Sequence, residues 1–281
     1  FDQLKIYESG KRNEMLYRMI SDNIRFPESS MGDLKSQIAS CQLALRRLEE
    51  MFRKYGRDTM VAAISRIFDE TEQRCRNIVA GFKDGVYEAR SSIDTDGITP
   101  DKPYNFHAKV VIDKGTMTID LTDCPKERQI GWNARTRAAP RIAYKALTLP
   151  NDPVNEGSFR ALNDIIPEGS MMMARYPISM SGWSTYLPTV VDTIVAAVAP
   201  AMPEHCPAAH HGNLGGAVFF GVDPKTKRRY MLQTIEGAGW GGRPHEDGES
   251  ALVSVCQGDV RNASVEATEL KCPLVVEARQ L

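Results

Sequence analysis

The sequence has no excess of charge, no long apolar run and no paired cysteines, and each absence excludes a class of protein. Its 281 residues carry 35 Lys+Arg against 36 Asp+Glu, a formal net charge of -1. A chain so balanced has no general field to draw in a polyanion, which argues against nucleic acid as its main partner. The most apolar stretch, Pro188 to Met202, is broken by Asp192 and Pro200 and is too short to span a bilayer, so no membrane partner is expected. The six cysteines (Cys41, Cys75, Cys124, Cys206, Cys256, Cys272) are scattered and contain no Cys-x-x-Cys pair. A chain of this length has no need of disulfides to support its core, and reduced cytoplasmic thiols are the reading they favour. There is no internal repeat, and no Gly-x-Ser-x-Gly elbow to indicate a serine hydrolase. The chain starts at Phe1 rather than Met, without an apolar leader, and is expected to begin inside a longer polypeptide.

What is present reads as α+β: a helical hairpin over residues 1–82, then an α/β region over 83–281 with a mixed, largely antiparallel sheet and packed helices. Apolar residues at Leu34, Ile38, Cys41, Leu45, Leu48 and Phe52 recur at steps of three and four, and Gly56 stands where a helix ends. A second helix is expected from about Asp58, with Val61, Ile64, Phe68, Cys75 and Val79 on its buried stripe. From Asp84 the period changes to two. Val86–Ile93 predicts a strand, and Phe106–Ile112 with Thr116–Leu121 predicts a hairpin around Asp113-Lys114-Gly115. Ala134–Leu149 and Val191–Ala199 predict helices, and Val218–Val222 with Arg229–Ile235 a second hairpin.

Three segments carry candidate chemistry. The first runs from Glu236 to Gly248, where Gly237, Gly239, Gly241 and Gly242 surround Trp240 and precede Arg243, His245, Glu246 and Asp247. Glycine lets a ligand approach backbone N–H groups, so this loop is read as an oxyanion or phosphate cradle. In that reading Gly239, Gly241 and Gly242 supply the contacts, Arg243 the counter-charge, and Glu236 and Asp247 are weaker catalytic candidates; an ordered loop at a subunit contact is the plain alternative. It is no dinucleotide fingerprint, because it follows a hairpin instead of opening a helix in a βαβ unit. The second is His205-Cys206-Pro207-Ala208-Ala209-His210-His211, which holds three of the five histidines. Adjacent residues of extended chain point to opposite sides. At most one of His210 and His211 therefore faces a given site, as general acid/base or substrate orienter; an ordinary satisfied imidazole is the alternative. The third is a polar group near the end, Asp259, Arg261, Asn262, Glu266 and Glu269. There Asn262 is a substrate-binding candidate, and a helix start capped by Asn262 or Ser264 explains it as well. Cys256 reads as a buried, inert thiol.

Several runs, in order along the chain, resemble the hydantoinase B/oxoprolinase family. They are Gly32-Asp33-Leu34-Lys35 with Tyr55-Gly56, Asp84-Gly85-Val86-Tyr87, Asp94-Thr95-Asp96-Gly97, Pro167-Glu168-Gly169-Ser170, Pro188-Thr189-Val190-Val191-Asp192, Ala208-Ala209-His210-His211-Gly212, Arg243 to Gly248, and Asn262 to Glu266 with Glu269-Leu270 and Pro273. The resemblance implies a subunit of an ATP-dependent, carbonyl-activating heteromeric complex acting on a small molecule. Its ATP would sit on a larger partner of the hydantoinase A type. One branch hydrolyses a cyclic amide (hydantoin, oxoproline or lactam) after phosphorylation; the related acetone and acetophenone carboxylases join bicarbonate to a ketone. A non-catalytic assembly subunit is the third reading. The resemblance places a divalent metal, Zn or Mn, on His and Asp ligands upstream of this sequence, so no metal ligand is assigned within it.

Overall fold

The computed structural model describes residues 4–99, 102–212, 215–257 and 263–278. The chain divides into two compact units, up to Arg66 and from Ile67, and the division falls inside one helix. In the first unit, a two-residue strand pair (β1, Tyr7–Glu8; β2, Lys11–Arg12) leads into α1, Glu14–Asp22. The Asn13 side chain caps α1 by accepting from Leu16 N–H. This helix is absent from the pattern reading. Next comes α2, Pro27–Tyr55, which opens seven residues before the expected Leu34 because Pro27 sits in its first turn, where a missing N–H costs nothing. Gly56 alone joins α2 to α3, Arg57–Val79. A one-residue joint is shorter than the two to five residues of a closed helical hairpin. The stripe of α2 accordingly stays in the open: Leu45 is 58% and Leu48 46% exposed, and Val61 on α3 is 50% exposed. Burial of the expected stripe is complete only in the second half of α3, at Cys75 and Val79.

The second unit is built on a four-stranded sheet in the order β3 (Gly85–Ile93), β4 (Tyr104–Asp113), β5 (Thr116–Asp120), β6 (Leu162–Ile165). The first three strands are antiparallel, with Lys114-Gly115 at the β4–β5 turn, where both residues have positive φ. β6 joins parallel to β5, an element too short to show a sequence period. Inward residues of β4 and β5 (Phe106, Ala108, Val110, Ile112, Met117, Ile119) are enclosed with α5, Leu187–Val198, and with α4, Ala138–Thr148.

Both helices differ from expectation at their starts. α5 opens at Leu187 rather than Val191 because Pro188 occupies its first turn. α4 opens four residues later than the expected Ala134, because side-chain bonds hold the preceding chain in a loop. Asn133 accepts from Arg128 N–H and donates to the carbonyls of Arg128, Ile130 and Ser179, while Ala134 N–H donates to Met171 O. A two-stranded hairpin, β7 (Val218–Val222) and β8 (Arg229–Gln233), and a short helix α6 (Val265–Lys271) follow. Ser264 caps α6, accepting from Ala267 N–H. All six cysteines are free. Among the described residues, no helix is long and apolar enough to cross a membrane.

Candidate functional site

The glycine-dense segment and the histidine segment run side by side. Ala208 N–H donates to Gly242 O at 2.8 Å, and Gly241 N–H donates to Ala209 O at 3.1 Å. A Cβ on Gly241 would stand 2.6 Å from the backbone of Ala208, so glycine here permits two backbones to touch. The neighbouring amides are committed as well: Gly239 N–H donates to Leu252 O and Trp240 N–H to Glu249 O. Three successive N–H groups of the expected anion cradle are thus satisfied within the protein, and Gly239, Gly241 and Gly242 serve a close crossing of chains. A cradle needs N–H groups facing an open concavity.

Beyond Ala209 the chain brings His210 onto α5. Its Nδ1 lies 2.9 Å from Asp192 Oδ2, and the His210 side chain is 6% exposed. One turn earlier on the same helix face, Thr189 Oγ1 donates to Gly212 O at 2.7 Å and clamps the chain two residues beyond His210. Gly212 N–H also approaches His210 Nδ1, at 3.3 Å. Nδ1 thus accepts from Gly212 N–H while standing within ion-pairing distance of the Asp192 carboxylate. Nε2 is enclosed and has no hydrogen-bond partner. His211 is half-buried, its ring centroid 6.3 Å from that of His210 and its plane turned by 57°.

The segment Val253–Cys256 closes this region. Trp240 Nε1 donates to Val253 O at 2.6 Å, and Ser254 Oγ is fully buried without a partner. The Cys256 thiol is pushed up to about 12, by burial first and then by the Asp192 carboxylate. It stays protonated at neutral pH, in keeping with an inert thiol. Enclosed polar atoms without partners are uncommon in folded proteins, and His210 Nε2 is one of them.

Arg243 belongs elsewhere. Its guanidinium pairs with Glu246, and it lines a cavity of about 520 Å³ with Glu204, His205 and His245, whose floor includes Ile78, Phe82 and Leu147. His245 is bound to Glu204 at 2.6 Å. His210 is not among the residues lining that cavity, so Arg243 and the buried imidazole do not share a site. Asp247 is exposed, and Glu236 is an exposed residue whose N–H donates to Gly215 O at 2.9 Å. Asn262, with Asp259 and Arg261, lies outside the described residues. His107 is satisfied on both nitrogens, by Asp123 at 2.9 Å and Glu88 at 3.3 Å. Among the described residues no three His, Cys, Asp or Glu side chains are placed to hold a metal ion.

Asp192 is the partner that residue-by-residue reading missed. Its signal was Thr189 and Asp192, two polar residues three apart in a largely apolar helix, which places both on one face.

The runs noted along the sequence can now be set beside known proteins. The match to hydantoinase B/oxoprolinase extends over residues 1–281. This chain belongs to that family. It is 28% identical over 294 aligned residues to the B component of a putative D-/L-hydantoinase of Pseudomonas sp. (strain NS671), covering 100% of this chain and 49% of the relative. The ATP-dependent caprolactamase of Pseudomonas jessenii shares the fold, with a TM-score of 0.88 at 22% identity over 98% of this chain and 48% of its own. A nucleotide-free acetone carboxylase does so too, at a TM-score of 0.83 and 16% identity, over 97% of this chain and 39% of its own. The chain thus spans about half the length of the hydantoinase component it matches.

Proposed function

We propose that this family member acts within an ATP-dependent complex that opens a cyclic amide, and that His210 handles the proton of that reaction. The observation that carries the role is the buried Asp192–His210 pair with its open Nε2. An amide carbon is a poor electrophile until its oxygen is phosphorylated; water can then add, the ring C–N bond breaks, and the acyl phosphate that results gives carboxylate and inorganic phosphate with a second water. Attack by water forms the new C–O bond, and the water proton passes to Nε2. The reading takes the tautomer with its proton on Nδ1, turned to Asp192 in place of the bond from Gly212 N–H, and the carboxylate then stabilises the imidazolium that results. The nitrogen that leaves on ring opening takes the proton back from Nε2. ATP is bound by a hydantoinase A-type partner in the cytoplasm, and any Zn or Mn is held by residues outside this sequence. Arg243, Asp247 and Glu236 are second to His210 in this reading, because the first is ion-paired at a separate cavity and the other two are exposed.

The test is turnover by the reconstituted complex on hydantoins, lactams and ketones, with and without bicarbonate. His210→Asn and Asp192→Asn are expected to lower kcat/KM by about 10²–10⁴-fold on a cyclic amide, with folding intact. Unchanged rates in both variants would remove His210 from the chemistry. Turnover of ketones alone, and only with bicarbonate, would move the protein to the carboxylase branch. ATP-independent binding with no turnover of any of the three classes would make it an assembly subunit.

A further inference from the structure

Helix α2 carries an apolar seam whose middle, at Cys41, Leu45 and Leu48, is exposed, with Leu34, Ile38 and Phe52 half-buried at its ends. Leu34, Ile38, Cys41, Leu45, Leu48 and Phe52 follow one another at alternating steps of four and three, the a/d spacing of a coiled coil. Every residue from Ala39 to Met51 is exposed, including Cys41, Leu45 at 58%, Leu48 at 46% and Met51 at 43%. On the flanks, Lys35, Gln42 and Glu49 occupy e positions, and Gln37, Ala44 and Met51 occupy g positions. Lys35 and Glu49 form no ion pair among the described residues.

The geometry points to a second copy of this chain as the occupant, with the two α2 helices antiparallel about a two-fold axis. In an antiparallel pair each a residue meets a d residue of the other helix. The only register that keeps all six residues in layers sets Cys41 against Leu45, Ile38 against Leu48 and Leu34 against Phe52, each layer occurring twice. That register fixes the flanks with no further freedom. The e positions meet so that Lys35 of each copy faces Glu49 of the other, an opposite-charge pair made twice. The g positions bring Ala44 against Ala44 at the axis, small residues where two identical side chains must coincide. Parallel pairing would leave Lys35 without a carboxylate, and the contact is self-complementary, as closed two-fold interfaces require.

Sedimentation velocity of the complete polypeptide, across the micromolar range and again within the complex, tests this. Leu45→Glu is the main variant: Leu45 is exposed on the monomer, so the fold survives, and an unchanged melting temperature of the separated chain verifies it. A dimer whose dissociation constant rises about 100-fold or more with Leu45→Glu is expected, since a charge enters both central layers. Lys35→Glu is expected to weaken the dimer about tenfold by placing like charges opposite each other. Lys35→Glu with Glu49→Lys is expected to restore it, which a merely apolar contact would not do. A monomer in both settings would overturn the proposal. So would a dimer indifferent to Leu45→Glu, or a monomer whose Cys41 resists thiol labelling because another part of the same polypeptide covers the seam. Loss of another subunit from the complex on Leu45→Glu, without any homodimer, would assign the face to that subunit and equally overturn it.

Discussion

Gly241→Ala separates two explanations of the glycine-dense segment, a ligand cradle and a crossing of chains. An added Cβ would lie 2.6 Å from the carbonyl carbon, the oxygen and the Cβ of Ala208, about 0.8 Å inside ordinary contact. Backbone cannot swing aside as a flexible side chain does, so the two segments must part by roughly that distance. The two bonds that join them, at 2.8 and 3.1 Å, would then open beyond hydrogen-bonding range. Losing both costs about 2 kcal/mol and overpacking about 1–3, while the stiffer unfolded chain returns about 0.5. The expected net loss is about 3 kcal/mol, or a fall in Tm of about 6–12 °C for a chain of this size. Gly242→Ala is the internal control: its Cβ would meet Glu246 O at 3.1 Å and Gly248 N at 3.4 Å, a contact that small shifts relieve. Differential scanning calorimetry of the two variants should therefore rank Gly241→Ala well below Gly242→Ala. Equal melting temperatures within 1 °C, with activity lost in both, would refute the crossing and restore the cradle.

Two further outcomes follow from buried groups. Asp96 accepts from Ile98 N–H, Thr99 N–H and the Tyr104 hydroxyl, and its carboxyl is lowered from 3.8 to about 2, by the Thr99 bond first. A carboxyl depressed on folding adds stability that is complete above about pH 4 and fades as pH falls toward 2. Acid unfolding of Asp96→Asn, followed by circular dichroism, should therefore show a shallower dependence across that window; a slope equal to wild type would contradict the assignment. Ile119 is fully enclosed between β4 and the helices, and Ile119→Ala should cost about 2–5 kcal/mol in urea unfolding with m unchanged. A loss under 1 kcal/mol would mean that the core repacks there.

How legible these features were depends on how local their causes are. Strands β3 to β5, the Lys114-Gly115 turn, α3 and the β7–β8 hairpin follow from alternation and turn residues over a few positions, and they stand within a residue or two of expectation. The start of α4 was not legible, because Asn133 binds the carbonyl of Ser179, forty-six residues away. β6 was not legible either, since four residues paired to β5 carry no period of their own.

Family membership and the α+β class were written in the order of residues, where short-range sterics and patterning act. Only tertiary structure could decide that His210 reaches Asp192, that the glycine amides are spent on neighbouring carbonyls, and that Arg243 opens to a different cavity. Those outcomes rest on which distant backbones touch. Contact of that kind is set by the packing of α5 against the sheet and of one loop against another, so no window of sequence contains it.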